Sequence, residues 1–189
     1  MKEERKIFGL IGEKGSGKDT FANYLIDKHS QKERKIIKLS FAEPLKAICQ
    51  ILYPLSTKDY FESRELKEKP SIIFGNKSPR EVLQVVGTDL FRNHYDENIW
   101  INVMLSKIHS IDKDIDIIVT DIRFPNELHA IETLNDNVTI VKLERDVQKD
   151  ERCSHISEKI NRITLNHNVI VIDNNGTIEN FYNEIDKKI

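Results

Sequence analysis

Seven residues near the N-terminus constrain this chain more than any others. Gly12-Glu13-Lys14-Gly15-Ser16-Gly17-Lys18 has G-x-x-x-x-G-K spacing; it follows an apolar run, 6–11, and precedes a stretch, 19–29, with Phe21, Leu25 and Ile26 on one helical face. A strand feeding a glycine-rich turn and then a helix makes a cradle of backbone N–H groups, reinforced by the positive end of the helix dipole. Gly15, Ser16 and Gly17 would line that cradle around phosphate, and Lys18 would bring a full charge to the β- and γ-phosphates of a nucleotide. A tight turn with an exposed lysine would explain the glycines but not the agreement of strand, lysine and helix. One position departs from the common pattern: Asp19 stands where Ser or Thr normally gives its hydroxyl to Mg²⁺, and Thr20 follows. A carboxylate is a good hard ligand for Mg²⁺, directly or through water, so Asp19 is expected near the metal. The plainer reading has Asp19 favouring the first helical turn electrostatically while Thr20 serves the metal shell.

The alternation continues along the chain. Residues 35–39, 115–120, 138–143 and 169–172 read as further strands; 44–52, 79–91, 99–108, 127–134 and 177–188 read as helices. Strands alternating with helices imply an α/β domain with a mostly parallel sheet. Residues 56–77, crowded with Lys, Glu and Arg, read as a mobile, partly helical insertion, and the 63–69 run within them as a solvated helix face. The polar stretch 145–162 lacks periodicity and reads as a loop or a helical flap.

Composition excludes several classes. Lys plus Arg total 29 against 31 for Asp plus Glu, a net charge of -2, so bulk charge offers no steering toward a nucleic acid polymer. No apolar run approaches the ~20 residues of a membrane helix, and the N-terminal stretch lacks the pattern of a signal peptide. Cys49 and Cys153 have neither metal-like nor redox-like spacing, which suits a reducing, cytoplasmic compartment. At 189 residues a single domain buries a real core without disulfides.

Other groupings carry less weight alone. Arg80 and Gln84, four apart, share a helix face and could hold a phosphate and read a base edge, although taken alone a solvated surface pair explains them better. Asp121, Arg123 and Glu127 follow the strongest strand, at the end where parallel sheets bind ligands. There Asp121 could hold the water shell of Mg²⁺ and Arg123 could reach charge on a transferring phosphoryl group, or the segment could be a plain turn capped around Pro125 and Asn126. Trp100, the one tryptophan, lies among Ile99, Ile101, Val103 and Met104; core packing is its default role. His155 reads as a hydrogen-bonding flap residue or a surface histidine.

Taken together, GEKGSGKDTFA, KLSFAEPLK, SPREVLQVVGTDLFRNHYDENIWINVM, TDIRFPNELHAI, SHISEKI and NVIVIDNNGTIENF resemble, in order, the deoxynucleoside monophosphate kinases of bacteriophages. These are a branch of the P-loop nucleoside monophosphate kinases. The resemblance implies a three-layer P-loop NTPase fold, a mostly parallel five-stranded sheet flanked by helices with acceptor-binding and lid insertions. One domain would span 1–189, with about 41–110 as the acceptor-binding helical region and about 145–162 as the lid. It further implies that Gly15, Ser16, Gly17, Lys18, Asp19 and Thr20 bind the ATP phosphates and metal. Arg152 would add a lid contact, and Asn174 and Gly176 would belong to a loop that packs on adenine. Lys14, Ser40, Phe41, Ala42, Arg64, Arg80, Gln84, Gly87, Thr88, Trp100, Asp121, Arg123 and Glu127 would surround the acceptor monophosphate, with Lys18, Asp121 and Arg123 at the catalytic edge. The match is weakest over 56–78, where Arg64 lies. ATP with Mg²⁺ and a deoxynucleoside monophosphate are then the expected partners, with no nucleic acid polymer and no membrane. A homodimer is compatible with this reading, as is a bacterial or phage-infected host cytoplasm. Kinase chemistry on another acceptor, such as dephospho-coenzyme A or phosphomevalonate, or a non-catalytic nucleotide-binding module, are the competing readings.

Overall fold

The computed structural model describes residues 4–30, 34–63, 65–146 and 169–189. The chain divides into two compact units, Met1–Ser40 with Lys107–Ile189, and Phe41–Ser106.

The first unit is built on β1, Lys6–Gly12, in which every residue from Ile7 to Ile11 is buried. An unbroken apolar strand is what a position covered on both faces demands. Strands β2 (Ile36–Leu39), β3 (Asp116–Val119), β4 (Asn137–Glu144) and β5 (Val169–Asp173) join it in the order β2-β3-β1-β4-β5, all parallel. The register sets Gly12 beside Leu143, so the carboxyl ends of the strands share one edge of the sheet. After β1 the chain moves toward β2, and after β4 it moves the other way toward β5. That reversal lies between the carboxyl ends of β1 and β4, where parallel sheets open a ligand crevice.

Helices make the outer layers. Phe21, Ala22 and Leu25 of α1 (Lys18–Ser30) and Phe181 and Ile185 of α7 (Ile178–Lys188) pack with Phe8, Leu10, Ile118, Val141, Leu143 and Ile172. Because side chains alternate along a strand, Gly9 faces the other way, where Ile122 and Ile131 sit over it. Ile131 belongs to α6, Pro125–Glu132. The result is the three-layer P-loop arrangement, with a five-stranded parallel sheet.

At the amino edge of the sheet the charges are buried and matched. Arg5 grips Asp136 with two guanidinium nitrogens, at 3.2 and 2.8 Å, and donates to the carbonyls of Ile108 and Ile111. Lys113 adds a second cation to Asp136 at 2.9 Å. Burial pushes the Asp136 carboxyl up, but Arg5 and Lys113 outweigh it and hold the group below the usual aspartate range. Asp116 accepts the Lys6 N–H at 2.7 Å and Arg34 Nε at 3.0 Å, tying β1 to the entry of β2.

The second unit contains α2 (Ala42–Leu52), α3 (Lys58–Glu62), α4 (Pro79–Gln84) and, up to Ser106, α5 (Ile99–Ser110). Its core gathers Cys49, Phe61, Phe74, Val82 and Val86. Phe74 is ringed edge-on by Tyr53, Tyr60 and Phe61 at centroid distances of 5.1, 5.4 and 5.7 Å. Burial pushes the Cys49 thiol up to about 11, which leaves it a packing group rather than a nucleophile.

Two expectations need correction. Among the described residues of the 63–69 run there is no α-helical turn: Leu66–Glu68 forms a turn of the tighter 3₁₀ kind, with Pro70 two residues beyond it. The helix expected over 79–91 is two structures. A capping box starts α4, with Ser78 Oγ accepting the Glu81 N–H and Glu81 accepting the Ser78 N–H. Beyond Gln84 the chain widens into a π-helix, Val85–Arg92. Gly87 within it is closely packed. A Cβ on Gly87 would lie 2.5 Å from Leu45 Cδ2, and the Gly87 carbonyl accepts the Trp100 indole N–H at 2.9 Å.

Candidate active site

The phosphate loop leaves β1 at the reversal point of the sheet and enters α1. Gly12, Gly15 and Gly17 hold φ angles of 148°, 84° and 102°, a region where a side chain is strained. Gly17 is doubly constrained, because a Cβ there would lie 2.4 Å from Asn174 Nδ2. Within the loop Ser16 N donates to the Glu13 carbonyl at 3.1 Å, and Phe21 N donates to the Gly17 carbonyl at 2.8 Å. Ser16 is fully buried while Lys14 is exposed. Lys18 Nζ donates to the carbonyls of Gly12 at 2.7 Å and Glu13 at 2.8 Å, so the ammonium is folded back over its own loop.

Asn174, at the end of β5, reaches this loop from the far side. Its Nδ2 donates to the Ser16 carbonyl at 2.9 Å, and its side chain is buried. The backbone N–H of Asn174 donates to the Glu144 carbonyl at 2.8 Å, and Asn175 Oδ1 accepts the Asp146 N–H at 2.7 Å. Gly176 is exposed, and Thr177 caps α7 by accepting the Asn180 N–H. The sequence pattern placed Asn174 in a loop near a base; its contact with the phosphate loop was not legible, because 158 residues separate it from Ser16.

The carboxyl ends of β2 and β3 bring two more expected residues together. Ser40 Oγ donates to Asp121 Oδ2 at 2.7 Å. Arg123 is exposed, while Glu127 is buried and accepts the N–H groups of Arg123 at 2.8 Å and Phe124 at 3.1 Å. That pairing caps the start of α6 and sets the Arg123 backbone. Asp19 is 81% exposed and accepts from Lys38 Nζ at 3.1 Å. Thr20 is half-buried beside it in the first turn of α1. Among the described residues no three His, Cys, Asp or Glu side chains gather as a metal centre.

The remaining acceptor residues lie in the second unit. Phe41 is buried and Ala42 half-buried at the start of α2. Arg80 and Gln84 ride on α4, both half-buried, and Arg80 Nε donates to Glu68 Oε1 at 2.8 Å. Gly87 and Thr88 lie in the π-helix, a form that recurs at functional sites. Trp100 is 5% exposed, so the default core reading describes it: the ring packs on Phe91 and its N–H fastens Gly87. Arg64, Arg152, Cys153 and His155 lie outside the described residues, as does all of 145–162 except Arg145 and Asp146.

With this geometry in place, known proteins offer a comparison. The profile of the deoxynucleotide monophosphate kinase family matches residues 49–185. A protein of Acanthamoeba polyphaga mimivirus, provisionally named a deoxynucleotide monophosphate kinase, is 33% identical over 195 residues, covering 95% of this chain and 93% of its own. The deoxynucleoside-5'-monophosphate kinase of Escherichia phage T5 is 27% identical over 183 residues, covering 68% of this chain and 72% of its own. A crystal structure of a gluconokinase from Sinorhizobium meliloti 1021 overlays 97% of this chain and 90% of its own at 9% identity, with a TM-score of 0.46. That overlay is too loose to add to the fold.

Proposed function

Since the chain belongs to the deoxynucleotide monophosphate kinase family and transfers the γ-phosphoryl group of ATP to a deoxynucleoside 5'-monophosphate, we propose how its residues divide the work. The phosphate loop of the first unit holds the ATP phosphates, and that unit also carries the acceptor-directed residues Lys14, Asp121, Arg123 and Glu127; the second unit, taken by itself, carries the acceptor-directed residues Arg80 and Gln84. One observation carries this reading: the loop after β1 presents its backbone at the sheet's reversal point with Lys18 Nζ already held above it.

The acceptor oxygen is ionised at pH 7, so the reaction needs no strong base and no covalent intermediate. Catalysis is alignment and charge neutralisation. Gly15, Ser16, Gly17 and the start of α1 present N–H groups to the triphosphate, and Lys18 places its charge at the terminal phosphates. Its ammonium, held by the Gly12 and Glu13 carbonyls, exchanges these partners for phosphate oxygens when ATP binds. Arg123, on a turn set by Glu127, meets charge on the transferring group. Arg80 takes the acceptor phosphate in exchange for Glu68, Gln84 meets the base, and Trp100 acts by holding Gly87 and the π-helix in place. The resemblance gives the role of lid, with Arg152, to 145–162, a segment that lies outside the described residues beyond Asp146.

The donor set fits Mg²⁺. Asp19, Thr20, Ser40 and Asp121 offer hard oxygens near the phosphate loop and the neighbouring strand ends, and Mg²⁺ typically takes one or two carboxylates together with substrate phosphates. When bound, it neutralises charge on the β- and γ-oxygens. Asp19 would hold it directly or through water, and Asp121 through water. Among the described residues no helix is long and apolar enough to cross a membrane. A bacterial or phage-infected host cytoplasm is the compartment this reading proposes, because ATP and deoxynucleotides are met there.

A coupled assay of ADP release tests the whole reading, with ATP-Mg and dGMP, dTMP, dCMP, dAMP, the matching ribonucleotides and dephospho-coenzyme A as acceptors. Turnover on at least one deoxynucleotide is expected, and turnover on dephospho-coenzyme A alone would overthrow it. Arg80→Ala should raise KM for the monophosphate by roughly tenfold, as loss of a charge-assisted contact does, with ATP affinity nearly unchanged. Equal loss of both would remove Arg80 from the acceptor site.

A further inference from the structure

The resemblance puts Asn174 in a loop that packs on adenine, and its side chain reaches the phosphate loop. The amide lies 2.9 Å from the Ser16 carbonyl and is 8% exposed. The atom facing a carbonyl must be the donor, so the amide orientation follows from chemistry. From the geometry we infer that Asn174 is a positioning residue for the phosphate loop, holding the Ser16–Gly17 peptide so that the following N–H groups face the triphosphate. The inference rests on the reading that residues 12–18 hold the ATP phosphates.

Three observations carry it. The Ser16 carbonyl is within the loop, one peptide before Gly17 and two before Lys18, so fixing it fixes the plane whose N–H belongs to Gly17. Next, Asn174 is itself anchored, because its backbone N–H is bonded to Glu144 at the end of β4. A side chain on so firm a base sets the loop instead of following it. Finally, Gly17 leaves just enough room: a methyl group there would lie 2.4 Å from Asn174 Nδ2. The last glycine of the motif therefore serves the Asn174 contact as well as its own left-handed backbone.

A residue acting on the loop affects every triphosphate alike, whereas a residue on the base discriminates among donors. The experiment uses the full chain and its Asn174→Asp and Asn174→Ala variants. Binding of Mg-ATP, Mg-GTP and inorganic tripolyphosphate is measured by calorimetry, along with steady-state kinetics and amide hydrogen exchange at Gly17 and Lys18. Asn174→Asp sets a carboxylate oxygen against the Ser16 carbonyl and should weaken tripolyphosphate and ATP together, by roughly tenfold or more. The ATP-to-GTP preference and KM for the monophosphate should stay as they were, and exchange at Gly17 and Lys18 should quicken. Asn174→Ala should follow the same pattern with a smaller loss, which keeps the test open if the aspartate variant fails to fold. Unchanged tripolyphosphate affinity in a folded variant, or a loss confined to adenine nucleotides, would overturn the inference. A parent chain that binds neither ATP nor tripolyphosphate would instead sink the reading on which it rests.

Discussion

The two edges of the parallel sheet handle charge in opposite ways. At the amino edge Arg5 and Asp136 are 0% and 6% exposed, and they reach each other across 131 residues of sequence. At the carboxyl edge the charges are nearer to water: Lys18 is bonded to carbonyls five and six residues back, Asp19 to Lys38 and Asp121 to Ser40. A buried, fully matched network is costly to break and has nothing to exchange. Exposed or carbonyl-bound groups can trade partners for a phosphate at little cost. One edge therefore resists change and the other is ready to bind, although the same five strands supply both.

That contrast can be broken from either side. Lys18→Ala removes the charge that the carboxyl edge brings to the terminal phosphates, so kcat/KM should fall on the order of a thousandfold or more. Its melting temperature should stay close to the parent's; near-normal turnover would contradict the phosphate-loop assignment. Asp136→Asn strands the Arg5 guanidinium in the interior and should cost about 3–5 kcal/mol in urea unfolding. The folded fraction should retain its kcat, and an unchanged urea midpoint would show that the amino edge is not held by this pair.

A pH titration separates the edges further. Asp136 is held below its unfolded range, so its contribution is present above the unfolded carboxyl pKa and is lost as pH falls through the lower, folded value. Acid unfolding of the parent should steepen below about pH 4, and Asp136→Asn should flatten that limb. The smallest expected effect is at the carboxyl edge, where Lys38→Gln removes an exposed ion pair with Asp19. Stability should shift by less than about 1 kcal/mol; a larger shift would mean that this edge is braced by charge after all.

How much could be read in advance depended on the range of the interaction. The strands, six of the helices and the phosphate loop were legible, because each depends on residues within a turn or two: Ile7 to Ile11 as a buried run, Gly12 to Lys18 as a turn, Phe181 and Ile185 as one helix face. The capping box of Ser78 and Glu81 was written in the sequence too, as S-x-x-E. Other features follow from packing between distant segments. The π-helix of Val85–Arg92 stands where local propensity favours an ordinary helix, and it brings Gly87 against Leu45 and Trp100, neither of them a neighbour in sequence. Glu127, assigned to the acceptor by the resemblance, also accepts the backbone N–H groups of Arg123 and Phe124, a contact that shapes the turn carrying Arg123.

The sequence alone thus determined the order of the elements, the place of the phosphate loop and the family to which the chain belongs, since these rest on spacing along the backbone. Only the tertiary structure decided that Asn174 grips Ser16, that Trp100 faces inward and that Arg5 finds Asp136. A hydrogen bond across a hundred residues leaves no periodic trace in the chain; it exists only once the sheet has set the two partners side by side.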